Sequence, residues 1–90
     1  MPQFSIFLSN RAEKGLRKAE PKLRERMQQL IEEMQINPAP KEKYDITKLA
    51  GSESNYRIRI GKYRVLYSIL WKEKQIKIFD IDRRKERTYE

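Results

Sequence analysis

The amino-acid sequence predicts an α+β domain, and two observations carry the prediction. Residues 55–67, Asn-Tyr-Arg-Ile-Arg-Ile-Gly-Lys-Tyr-Arg-Val-Leu-Tyr, alternate apolar and basic side chains on both sides of a Gly-Lys pair, the pattern of a β-hairpin with one buried face. Between residues 21 and 35, Leu23, Met27, Leu30, Ile31 and Met34 recur at three- and four-residue spacing, the pattern of an amphipathic helix of about four turns. Ninety residues make one domain, 1–90, with room for a single core.

Taken in order, Gln3 to Leu8 alternates with Phe4, Ile6 and Leu8 on one face and reads as a first strand. Ser9 or Asn10 can cap the helix that follows, and Glu13 sits where a negative charge favours a helix N-terminus. Ala12, Leu16 and Ala19 give this short helix a thin apolar stripe that stops near Glu20. Pro21 suits the first turn of the second helix, where its missing N–H costs nothing. The two helices form an αα-hairpin whose stripe needs a sheet to cover, with the methionines as core filler. Asn37-Pro38-Ala39-Pro40 ends the second helix, because the residue before a proline is pushed out of the α region.

Residues 41–54 read as a polar connection anchored by Tyr44, Ile46 and Leu49, with 51–54 as the loop entering the hairpin. If Gly61-Lys62 is a two-residue turn of the Gly-first kind, Ile60 faces Tyr63, Ile58 faces Val65, Tyr56 faces Tyr67, and Arg59 lies directly across from Arg64. The second hairpin strand continues through Ile69 and Trp71 as the centre of the core, and residues 75–81 form the last strand. The opposite face holds Arg64, Leu66, Ser68 and Leu70, joined by Lys77, Phe79 and Ile81. A two-residue turn at Glu73-Lys74 would set Arg64 across from Arg83, at the start of the charged tail 82–90.

Charge is uneven along the chain. Of a net +8, residues 1–45 supply +2 (nine Lys/Arg against seven Asp/Glu) and residues 46–90 supply +6 (twelve against six). Like charges opposite one another destabilise a sheet, so Arg57, Arg59 and Arg64 on one hairpin face point to an external polyanion, for which a guanidinium fork is suited. Lys48, beside the hairpin entry, is within reach of a phosphate. The absence of cysteine and histidine removes disulfides, thiolate metal sites and the usual zinc ligands and general base. No metal or other cofactor is therefore expected, and any catalysis runs on Arg, Lys, Tyr and carboxylates. No apolar run has the length of a membrane span or signal-peptide core, which predicts a soluble, cytoplasmic protein.

With these residues in view, the chain resembles the RelE/ParE superfamily of bacterial and archaeal toxins, and within it the RelE-like branch. The likeness rests on Lys48-Leu49-Ala50-Gly51 before Tyr56-Arg57-Ile58-Arg59, on Gly61-Lys62-Tyr63-Arg64-Val65-Leu66-Tyr67, and on Ile81-Asp82-Arg83-Arg84 with a terminal Tyr89. The resemblance implies two N-terminal helices packed on an antiparallel sheet of about four strands, in the order β-α-α-β-β-β. It implies a toxin of a type II toxin-antitoxin system that enters the ribosomal A site and cleaves mRNA there without a metal. Its implied partners are the ribosome, mRNA and an acidic RelB-like antitoxin that silences it; operator DNA would be bound only through the toxin-antitoxin complex, and no membrane is involved.

Matching positions place the functional basic residues at Arg57, Arg59, Arg64 and Arg84 and the functional tyrosine at Tyr89. Lys48 beside the hairpin entry and Arg83, Lys85 and Arg87 of the charged tail are further candidate RNA-binding residues by their place in the chain. Register counting favours Arg83 over Arg84 for the tail arginine; the resemblance favours Arg84. Metal-free cleavage needs the 2′-OH deprotonated, the phosphorane charge stabilised and the 5′-oxygen protonated. Arg57 and Arg64 would hold the phosphate, Arg84 would stabilise or help protonate the leaving oxygen, and Tyr89 or Arg59 would assist deprotonation. Both first-strand basic positions are often lysines in ribosome-dependent relatives, and arginines are poor general bases. Two rival functions share the composition. One is a ParE-like inhibitor of DNA gyrase, and the other a basic RNA-binding module without chemistry.

Overall fold

Ser9 sets where the first helix begins. Its hydroxyl accepts from the Ala12 N–H at 3.0 Å, so helix α1 runs Asn10–Lys18 from a capped start with Glu13 in its first turn. In the computed structural model, which describes residues 3–51 and 53–83, strand β1 (Ser5–Leu8) precedes α1, and helix α2 (Pro21–Ile36) follows with Pro21 at its first position. Leu23, Met27, Leu30 and Met34 are the buried side of α2. The spacing that predicted the stripe is the spacing that fills the core.

The sheet has five strands in the order β1-β5-β4-β3-β2, with β2 at Asp45–Lys48, β3 at Asn55–Ile60, β4 at Tyr63–Leu70 and β5 at Gln75–Arg83. The expected class and helix pair hold, and the strand count and pairing are amended. The polar connection contains the edge strand β2, which lies antiparallel to β3. Ile46 is the one apolar side chain of β2 that packs toward the core, and a four-residue edge strand with one inward apolar residue has little periodicity to read. At the other edge β1 lies parallel to β5, so the sheet is mixed rather than wholly antiparallel.

The β3–β4 register is the one expected, Arg59 opposite Arg64 included. Gly61 has a φ of 57°, the left-handed value a Gly-first turn requires. The β4–β5 register differs. Residues 71–74 form a four-residue turn closed by Lys74 at a φ of 57°, because Glu73-Lys74 offers no glycine or asparagine for a tighter one. A bulge in β5 then shifts the pairing between Leu66 and Tyr67. Arg64 consequently faces Asp82, and Arg83 faces Tyr63. The same bulge turns Ile81 inward opposite Val65, where it is 2% exposed rather than on the mixed face. Trp71 falls in the turn at 53% exposure, edge-on to Phe4, instead of in the core.

Both helices cover one face of the sheet, whose buried layer is Tyr56, Ile58, Ile60, Val65, Tyr67, Ile69, Ile76, Ile78 and Ile81. Helix α1 sits directly on β5. A Cβ built on Gly15 would collide with the Ile81 carbonyl oxygen, so only glycine permits this approach. No helix of the described residues covers the other face of the sheet, the open face, and the arginines stand on it.

Candidate nucleic-acid interface

Alternation along β3 and β4 puts Arg57, Arg59 and Arg64 on the open face. Across the four antiparallel strands one row reads Asp45, Arg59, Arg64, Asp82 and the next Thr47, Arg57, Leu66, Asp80. Acidic residues thus flank the cluster in register, yet among the described residues no salt bridge joins them to it. Asp80 is instead held by Arg11 of α1 at 3.4 Å. Three guanidiniums therefore share one surface with no salt-bridge partner among the described residues.

The Nε atoms of Arg57 and Arg64 are buried and have no hydrogen-bond partner, while both side chains remain partly exposed. Burying an unmade donor costs about 1–3 kcal/mol, and here it occurs twice, on neighbouring residues of one face. What these two Nε donors lack among the described residues is an acceptor. Arg59 is exposed. An anion with several oxygens is the ligand this surface fits.

Other expected site residues lie elsewhere. Lys48 pairs with Tyr56, which puts it on the helix-covered side of the edge strand. Arg83 pairs with Tyr63 and also belongs to the helix side, so the register count that set it across from Arg64 is corrected by the bulge. Arg84, Lys85, Arg87 and Tyr89 lie outside the described residues. Among the described residues no three acidic, histidine or cysteine side chains are gathered to hold a metal ion.

The tyrosines of the hairpin are structural. Tyr67 is fully buried, stacks on Tyr56 with ring centroids 5.5 Å apart, and donates to the Pro38 carbonyl at 3.0 Å. Burial, and next the neighbouring Tyr56, raise its pKa well above that of an ordinary tyrosine. It stays a neutral phenol and takes no part in acid–base work. Because Tyr56 and Tyr67 sit in the core, they are not platforms on which bases could stack.

Comparison with known proteins bears on the family and the fold. The family model described as the ParE toxin of type II toxin-antitoxin systems, parDE, matches residues 6–88. The chain is 43% identical over 82 residues to the protein named "Putative toxin RelE1" of Methanocaldococcus jannaschii, covering 91% of each. A crystal structure of an archaeal RelE–RelB complex from Pyrococcus horikoshii OT3 matches with a TM-score of 0.85 and 31% identity, over 97% of this chain and 100% of that one. The isolated E. coli RelE toxin matches in fold, with a TM-score of 0.78 at 20% identity over 94% of this chain and 88% of its own.

Proposed function

Since the chain belongs to the RelE/ParE superfamily, as a RelE-like toxin of a toxin-antitoxin system, we propose that it is a ribosome-dependent mRNA endoribonuclease that cuts mRNA in the A site without a metal and so stops translation. The observation that carries this reading is the open arginine face: three guanidiniums in adjacent register, two of them with a buried Nε that has no acceptor. Such a surface suits a phosphate whose charge grows during reaction.

In the proposed step a base takes the proton of the 2′-OH, and the 2′-oxygen attacks the adjacent phosphorus. The P–O5′ bond then breaks, leaving a 2′,3′-cyclic phosphate, and the 5′-oxygen takes up a proton. Arg57 and Arg64 hold the scissile phosphate and neutralise its charge. Arg84 stabilises or helps protonate the leaving oxygen, and Tyr89 or Arg59 assists the first deprotonation. With no histidine in the chain and only arginines as the cations of the cluster, the ribosome's arrangement of the mRNA supplies a large part of the rate.

The partner we assign is an acidic RelB-like antitoxin, since solved relatives from P. horikoshii and Methanococcus jannaschii are RelE–RelB complexes and an arginine-lined face steers an acidic chain. The pair together would bind operator DNA through the antitoxin. No helix of the described residues is long and apolar enough to cross a membrane, and the proposed site of action, the translating ribosome, is cytoplasmic.

The family model's own name favours a second reading, a ParE-like protein directed at DNA gyrase. The uncompensated arginines weigh against it, as does the 43% identity to a RelE chain. Adding the protein to a cell-free translation reaction and to a gyrase supercoiling reaction separates the two. We expect protein synthesis to stop and supercoiling to proceed; blocked supercoiling with unimpaired synthesis would overturn the proposal.

A further inference from the structure

A second concentration of positive charge lies behind the same hairpin tip, on the helix side. Between the first turn of α2 and the Gly61–Lys62 turn is an open groove of about 210 Å³. Leu23 and Ile60 form its floor, and Lys22, Arg26, Lys62 and Arg83 surround it with Glu20 as the one carboxylate of the lining. Arg26 reaches across from α2 to the turn: a Cβ on Gly61 would lie 3.5 Å from its Nη1. The first turn of α2 contributes no acidic side chain. Even with Glu20 set against one of them, Lys22, Arg26 and Arg83 bring an excess of positive charge from α2 and β5 to the same space.

We propose that this groove is a second phosphate-binding site, which grips a backbone phosphate of the RNA while the arginine face engages another. The two surfaces share one hairpin: the Arg59–Arg64 pair is a single register position from the Ile60–Tyr63 pair that closes the turn. A single RNA strand passing around the tip crosses roughly the 10 Å thickness of one sheet layer and meets cations on both sides. A phosphate fits better than an acidic peptide. The floor residues Leu23 and Ile60 are 5% and 1% exposed, so the half-buried Tyr63 is the main apolar surface of the lining and the four cations outnumber it, which suits a phosphodiester that needs only charge and hydrogen-bond donors. Arg83, displaced from the arginine face by the bulge, acquires a role in RNA binding here.

The inference rests on the arginine face being an RNA surface, and the test separates the two. A fluorescein-labelled 2′-O-methyl oligoribonucleotide has no free 2′-OH and cannot be cut. Its affinity is measured by anisotropy over a range of salt for the wild-type protein, for Lys22→Gln/Arg26→Gln, and for Arg57→Ala/Arg64→Ala. Lys22 and Arg26 are exposed, so the groove variant is expected to fold. Its plot of log affinity against log salt should be shallower by about 0.7 for each phosphate that is no longer neutralised, and the four substitutions together should be shallower still. A wild-type slope in the groove variant beside a shallower slope in the Arg57/Arg64 variant overturns the groove alone. Wild-type slopes in both overturn both surfaces. A wild-type RNA slope with weakened binding of a labelled polyglutamate peptide, or of inorganic phosphate only, overturns it in favour of those ligands.

Discussion

Arg57 and Arg64 carry a cost that the fold does not need. Each leaves a buried Nε without an acceptor, and Arg64 lies beside Arg59 in a like-charged pair. Replacing either with alanine should therefore leave thermal stability unchanged or raised while abolishing growth inhibition on expression. Full toxicity in a folded Arg57→Ala/Arg64→Ala protein would remove this site from consideration. Tyr67 behaves in the opposite way, because its role is confined to the core. With its pKa raised in the folded state, both states are protonated below about pH 10, the ordinary tyrosine value, and its stabilisation is complete there. Above that pH the unfolded chain ionises first, so stability falls as pH rises. Tyr67→Phe should flatten the alkaline part of a stability-against-pH profile and cost about 1–3 kcal/mol at neutral pH, because the Pro38 carbonyl loses its donor. The arginines were legible in the sequence from strand alternation alone. The unmet Nε atoms were not, since they depend on how the stems pack.

At the level of elements, the hairpin was legible because a glycine marks its turn and two faces of opposite character fix its register. The β4–β5 turn was not, because it closes through Lys74 in a left-handed conformation and the bulge that follows leaves no mark in the residue types around Phe79. That one irregularity moves Ile81 inward, Arg83 to the helix side and Asp82 opposite Arg64. It also sets Asp80 where Arg11 of α1 can reach it. Strand β2 is too short for a readable period, and the parallel pairing of β1 with β5 depends on where an αα-hairpin returns the chain. Gly15 is the hinge of that packing. Gly15→Ala would force a methyl group against the Ile81 carbonyl, and because the methyl is fixed to the helix and the carbonyl is backbone, α1 must move off β5. Denaturant unfolding should show a loss of about 1–3 kcal/mol, or more if the helix cannot shift. A wild-type midpoint for Gly15→Ala would mean that α1 does not sit where described.

For the molecule as a whole, the division of the sheet decides what each face can do. The helix-covered face holds the core, including Tyr56 and Tyr67, and the open face presents arginines that no salt bridge among the described residues engages. A net charge of +8 on 90 residues then favours encounter with RNA and with an acidic antitoxin alike, so binding alone distinguishes little between a nuclease and a passive basic module. Cleavage does. The most direct test adds the purified protein to ribosomes translating a defined mRNA and maps new 5′ ends by primer extension, with naked mRNA in the same buffer alongside. The account predicts cuts within A-site codons only where ribosomes are present, absent with Arg57→Ala/Arg64→Ala. Intact mRNA in both reactions, from a folded protein that still arrests growth, would contradict it.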